Sequence, residues 1–269
     1  MNEILFLLPA FLACLVLTGI HTYLGVHVIS RGVIFVDIAL AQIAALGMLT
    51  ALMFGFEPEA QATYFFGLAF TFLGAGFFAF FRDERVSQEA VIGVSFAVSS
   101  ALAILVASKM PHGSEHLTFV LSGNILWVGW PLILKTALIY LLLGILHYFI
   151  REKLLLVSTD PAEAKRRGLK LWFWDLIFYF SFGLVITSSV QMGGILLVFS
   201  FLIVPASCAT LFFQRMRKKI FFGWAVGLAT SALGIALSYF YDLPTGPTIV
   251  TAFGLALLLS FLASRLKRV

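Results

Sequence analysis

Charge is scarce in this sequence. Asp, Glu, Lys and Arg make up 12% of the 269 residues, about half the share in an ordinary soluble domain. Hydrophobic residues make up 61% and the mean hydropathy is +1.03. So much apolar side chain cannot be hidden in one soluble core, and the remainder needs lipid as its solvent. Cysteine is scarcer still. Cys14 and Cys208 both sit inside apolar runs, which excludes a disulfide framework by number and a structural zinc cluster by the lack of paired spacing. No Gly-x-x-x-x-Gly-Lys-[Ser/Thr] stretch occurs, so the chain does not bind ATP in the P-loop manner. Sequence proximity suggests no Ser-His-Asp or Cys-His set. The net charge of +5 is not a nucleic-acid signal, because no basic patch is interleaved with stacking aromatics on a water-facing surface.

What the chain has instead is long apolar runs. A bilayer-spanning helix needs about 20 mainly apolar residues, and that ruler finds runs near 4–29, 33–54, 61–81, 88–108, 129–150, 172–190, 194–213, 221–240 and 248–264. The first follows Met1-Asn2-Glu3 without a basic n-region and reads as a retained span, not a signal peptide. Counting the spans alternately, all of the 18 Lys and Arg except Lys109 and Lys135 fall in connections or ends that share one side. By the positive-inside rule that side is the cytoplasm, giving N-out and C-in. The weakest division is between the sixth and seventh runs, joined only by Gln191-Met192-Gly193-Gly194. Small residues such as Ala39, Ala41, Ala44, Ala45 and Gly47 in the second run favour close helix packing in lipid. The expected fold is all-α, a polytopic bundle of 8 or 9 spans, with 1–269 forming a single transmembrane domain.

Two connections stand out. The cytoplasmic one after the fifth span contains Asp160-Pro161-Ala162-Glu163-Ala164-Lys165-Arg166-Arg167-Gly168. Asp160 suits an N-cap, Pro161 the first helical position and Glu163 the acid of a capping box. The three cations suit the negative end of the helix dipole, and Gly168 suits the position after the C-cap. A helix this short is unstable alone, so it needs a surface to pack on. The outer connection after the fourth span, Pro111-His112-Gly113-Ser114-Glu115-His116-Leu117, is the one dense group of metal-type ligands in the sequence. His112, Glu115 and His116 share a face if the stretch is helical. Imidazole and carboxylate ligate zinc and related ions.

Within the spans, ionisable residues are costly and default to functional candidates. Asp37 lies one turn into the second span and Gln42 about a turn and a half further. His21 and His27 occupy the cytoplasmic half of the first. Antiparallel running brings His21 to the depth of Gln42 and His27 towards Asp37, a set suited to a divalent cation shedding its water. The plainer alternative is that Asp37 pairs with Arg31. Asp175 and His147 lie near the cytoplasmic ends of their spans and read as interfacial.

Three stretches resemble the permease subunit of bacterial ABC importers for zinc, manganese and iron (the ABC-3 type), and with the hydropathy profile the likeness covers nearly the whole chain. Arg31-Gly-Val-Ile-Phe-Val-Asp37-Ile-Ala-Leu-Ala-Gln42-Ile-Ala-Ala-Leu-Gly47 is similar to that family's Arg…Asp-x-x-x-His…Gly segment. Gly194-Ile-Leu-Leu-Val-Phe-Ser-Phe-Leu-Ile-Val-Pro205-Ala206 is similar to its Gly-x-Leu-Leu-Val…Pro-Ala signature. Leu243-Pro244-Thr-Gly246-Pro247 is similar to its late Pro-x-Gly turn. Anchoring on Gly47 puts Gln42 where the family carries His and displaces Asp37 by one residue. Family members are often described with about eight spans.

The resemblance implies a bacterial cytoplasmic-membrane permease that is not an enzyme and has no covalently bound cofactor. It implies a homodimer in the lipid bilayer, cytoplasmic ATPase subunits that alone bind ATP, and an extracytoplasmic solute-binding protein. The stretch 160–168 falls where the family has its coupling helix, with Asp160, Pro161, Glu163, Arg166 and Gly168 as its punctuation. The cargo is expected to be zinc, with manganese or iron as the other possibilities. Two alternatives stand beside this reading. One is an intramembrane zinc peptidase built on His112-x-x-Glu115-His116; the other is a secondary metal carrier.

The charge pattern makes a direct prediction. With Cys14 and Cys208 replaced, Ser114→Cys is labelled by a membrane-impermeant maleimide in intact cells, and Ala162→Cys only after permeabilisation. The opposite pattern would reverse the topology.

Overall fold

The structure is a computed structural model that describes residues 3–81, 85–122 and 125–266, with the side chains of 3–5, 116 and 119–122 outside that description. Arg82, Lys267 and Arg268, which contribute to the charge pattern, also lie outside it. The described chain is helical: α1 Glu3–Arg31, α2 Val36–Met53, α3 Gln61–Phe80, α4 Gln88–Ala107, α5 Gly113–Ser122, α6 Trp130–Thr159, α7 Pro161–Arg166, α8 Leu171–Phe212, α9 Met216–Tyr241 and α10 Thr245–Leu266. A 3-10 turn, Ile125–Trp127, precedes α6. Helix is the form that satisfies every backbone group within one segment, which lipid requires.

Eight of these helices are long and apolar enough to cross a membrane. The nine apolar runs of the sequence fall inside them because α8 holds both the sixth and the seventh. A straight helix of its 42 residues would be about 63 Å long, twice the hydrocarbon thickness of about 30 Å. It is not continuous. Gly194, with φ 72° and ψ 171°, breaks the helical path, so the expected four-residue connection contracts to one buried residue. That backbone region is open essentially to glycine alone. The Leu243–Pro247 stretch also differs from a simple turn. Asp242 closes α9 in the left-handed region, and Gly246 and Pro247 already belong to the first turn of α10. There the missing proline N–H removes no intrahelical bond.

The chain divides into two compact units. The first comprises 1–29, 122–141 and 192–269. In it α1 and α9 run antiparallel: a Cβ on Gly227 would lie 2.6 Å from Thr18 Cγ2, and one on Gly223 2.4 Å from Thr22 Cγ2. The Trp224 indole N–H donates to the Gly19 carbonyl over 2.9 Å. Phe201 from the second half of α8 meets Phe253 of α10 edge-on, centroids 5.0 Å apart.

The second unit comprises 30–121 and 142–191. Here α2 packs on α3 through small residues: a Cβ on Gly47 would stand 2.7 Å from the Phe66 carbonyl oxygen, and Gly67 faces Met48 and Ala44. Leu46, Leu49 and Ala103 form an apolar centre between α2 and α4, joined by Phe70 and Leu117. Along α3 and the first half of α8 the partners run in opposite order. Tyr64 Oη lies 3.0 Å from Ser188 Oγ, Thr187 Oγ1 donates to Thr71 Oγ1 over 2.9 Å, Phe72 stacks on Phe180 and Phe80 on Trp172. α3 and this half of α8 are therefore antiparallel.

Gly194→Ala is expected to destabilise the fold by about 1–3 kcal/mol. The check is a lower thermal-unfolding midpoint in detergent than that of Gly254→Ala, where an added methyl meets nothing within 4 Å. Equal midpoints would mean the break tolerates a side chain.

Candidate functional site

Asp37 sits in the first turn of α2 and is 1% exposed. Both of its carboxylate oxygens are buried without a hydrogen-bond partner among the described residues. Buried polar atoms are almost always paired, and an uncompensated buried charge is among the costliest features a fold can carry. The alternative pairing with Arg31 does not occur. Arg31 forms its ion pair with Asp175 instead, donates from Nε to Ser158 Oγ over 2.9 Å and lies 4.1 Å over the Phe178 ring. Asp175 and His147, read from sequence as interfacial, are both buried. His147 Nε2 lies 2.8 Å from Ser181 Oγ.

The first turn of α2 is supported by a residue the sequence reading left unremarked. Phe35, its N-cap, offers no side-chain cap. Its backbone N–H donates to Glu89 Oε1 over 3.1 Å, and Glu89 lies in the first turn of α4. A carboxylate from one helix thus caps the N-terminus of its neighbour and complements its dipole. Two helix starts are held together close to Asp37 in sequence.

Gln42 is buried on the same helix. His21 is fully buried, with Nδ1 2.8 Å from the Leu17 carbonyl and its ring 5.9 Å from Tyr140, edge-on. A carbonyl only accepts, so the neutral ring carries its proton on Nδ1 and its lone pair on Nε2. His27 is buried and meets Tyr23 edge-on at 4.8 Å. His21 and His27 belong to the first unit, Asp37 and Gln42 to the second. Among the described residues no group of three His, Cys, Asp or Glu is placed to hold a metal ion.

On the other connection, His112 Nδ1 lies 3.4 Å from Glu115 Oε1, both side chains largely exposed. His112 is left-handed at φ 58° and precedes α5. It is therefore not on a helical face shared with Glu115 and His116, as the peptidase alternative requires. The side chain of His116 lies outside the described residues.

The segment after α6 forms a complete capped helix. Asp160 Oδ1 accepts from the Glu163 N–H over 2.9 Å, and Pro161 opens α7. At the other end the Leu169 N–H donates to the Ala164 carbonyl and the Gly168 N–H to Lys165, with Gly168 at φ 79°, the Schellman pattern. One expectation fails: Glu163 does not close a capping box. Its two oxygens accept from Arg166 and Arg167, and the bonds from Arg167 and Arg166 hold its carboxyl below the usual carboxylate range. Ala164 is fully buried, while Glu163, Arg166 and Arg167 present charge outward.

Residues 3–264 match the model of the ABC 3 transport family. The manganese import system permease protein ScaB of Streptococcus gordonii is 26% identical over 274 residues, covering 100% of this chain and 95% of that protein. A protein named as a probable iron transport system membrane protein, from Haemophilus influenzae, is 28% identical over 247 residues, covering 91% of this chain and 89% of its own. Among solved structures, PsaBC from Streptococcus pneumoniae, in complex with Fab, superposes with a TM-score of 0.81 at 23% identity, covering 97% of this chain and 92% of that one. The peptidase and secondary-carrier alternatives fall with this match, because the family consists of the membrane subunits of ABC transporters. The chain belongs to the ABC 3 transport family, as a multi-pass, non-catalytic permease of a bacterial ABC importer for metal ions.

Proposed function

We propose that the chain carries a divalent first-row metal ion inward past Asp37, and the observation that carries this reading is the pair of unpartnered, buried oxygens on that residue. A carboxylate with no donor around it is completed by a cation. Gln42 on the same helix offers a further oxygen donor. His21 and His27, which belong to the other unit, each carry an imidazole. Oxygen donors suit manganese, while imidazole suits zinc and iron. The relatives above carry manganese and iron in their names. Zinc, expected on sequence, is the ion that imidazole would favour.

On this reading two copies of the chain form the passage. Cytoplasmic ATPase subunits bind the ATP and dock on α7, whose charged outer side supplies polar contacts. An extracytoplasmic binding protein delivers the ion near His112, Glu115 and His116. The orientation is N-out and C-in.

Asp37→Asn is expected to cut radiolabelled metal uptake by reconstituted transporter at least tenfold while ATPase subunits still co-purify. Undiminished uptake would remove Asp37 from the passage. Competition among manganese, iron(II) and zinc in the same assay identifies the cargo, and His21→Ala should weaken zinc more than manganese if imidazole is a ligand.

Replacing Asp160 and Pro161 by Gly-Gly removes an N-cap worth about 1 kcal/mol and the favourable first-turn proline. It should weaken association with the ATPase subunits, read as loss of co-purification. Unchanged co-purification would place docking elsewhere.

A further inference from the structure

The Arg31 guanidinium ties together the two roots of α7, just ahead of α2 in the sequence. Ser158, next to last in α6, accepts from its Nε over 2.9 Å. Asp175, in the second turn of α8, takes its Nη1 in an ion pair, with side chains 7% and 5% exposed. Phe178, one turn further, lies under its plane at 4.1 Å. Between Ser158 and Asp175 the chain runs out through α7 and back. Arg31 is itself the last residue of α1. Gly32, at φ 67°, follows it, and Asp37 lies in the first turn of the next helix. All of these residues belong to the same unit.

We propose that Arg31 is a positioning residue that transmits movement of α7 to Asp37, so that ATP turnover in the partner subunits is coupled to metal release. This rests on the reading of α7 as the ATPase dock and of Asp37 as a cargo ligand. Three features support a transmitting role over simple reinforcement. A buried ion pair is weak evidence for stability, since apolar residues of the same volume usually serve as well. The guanidinium is tied to α6 and to α8 at once, so neither root of α7 moves without it. And its Nη2 is buried without an acceptor, so the contact is not built for maximal bonding in this one conformation. A planar fork of five donors can hold two partners in fixed directions, which a lysine ammonium does less well.

The experiment uses the permease with its ATPase subunits in liposomes, measuring ATP hydrolysis and metal uptake in the same preparation. Arg31→Gln is expected to keep hydrolysis within about twofold of the unaltered complex while metal carried per ATP falls at least tenfold. Arg31→Lys should recover part of that ratio, and Arg31→Asp combined with Asp175→Arg more of it than either single change. Should Arg31→Gln fail to assemble, Ser158→Ala decides. It leaves the ion pair in place and should still lower metal carried per ATP severalfold. An unchanged ratio in whichever of these assembles, or hydrolysis and uptake falling in proportion, would overturn the proposal. No metal uptake by the unaltered complex would instead overturn the underlying transport reading.

Discussion

The absence of water from the hydrocarbon core governs this molecule. Each backbone N–H and C=O must find its partner within the chain, and each side-chain hydroxyl faces the same demand. The helices answer it locally. Thr18, Thr50, Thr71, Ser95, Thr230 and Ser231 all donate to the carbonyl four residues back. Such bonds need nothing from tertiary structure, so the hydroxyls can be placed freely along the spans. Asp37 differs in kind: a carboxylate can only accept, so the carbonyl four residues back offers it nothing.

The same constraint explains how the helices associate. Lipid is as apolar as leucine, so exclusion from water does not drive one span against another. Close backbone approach does, and it occurs where glycines meet: Gly47 against the Phe66 carbonyl, Gly223 beside Thr22, Gly183 beside Thr71. Between those points the aromatic pairs along α3 and the first half of α8 set spacing and register. Bulky residues that would be core in a soluble protein, such as Phe149 at 79% exposure, instead face outward from the chain.

Much of this was legible in the sequence because it is local. Nine apolar runs match helical segments because length and hydropathy act over 20 neighbouring residues. The capped helix at 161–166 was legible for the same reason: Asp160, Pro161 and Gly168 each act within one turn. What was not legible is long-range. Arg31 and Asp175 are 144 positions apart, and nothing in either neighbourhood names the other. An arginine at a helix end and an aspartate just inside an apolar run each demanded a partner, but Asp37 satisfied that demand equally well on paper. Glu163 fails as a capping-box acid because the Asp160 N–H already donates to the Leu156 carbonyl, and Arg166 and Arg167 offer Glu163 charge-assisted bonds instead. Gly194 misled in the other direction. Two glycines suggested a connecting loop, whereas one residue with a positive φ suffices to redirect a helix.

The distribution of satisfied and unsatisfied groups in the second unit then carries its own argument. Arg31 and Asp175 neutralise each other, and Glu89 accepts from the Phe35 N–H through Oε1, while its Oε2 is buried without a partner among the described residues. Had Arg31 been left to Asp37, the carboxylate would be internally compensated, and a metal ion would have to displace a guanidinium to bind. By assigning Arg31 elsewhere, the fold keeps Asp37 available at the cost of a buried group without a partner. A buried carboxyl of this kind either keeps its proton or is completed by a cation. On the reading proposed above, the site binds the ion in one conformation and releases it in another, so its ligands must be able to stand without it. The pairing of Arg31 with Asp175 is what leaves the Asp37 carboxyl without a guanidinium partner.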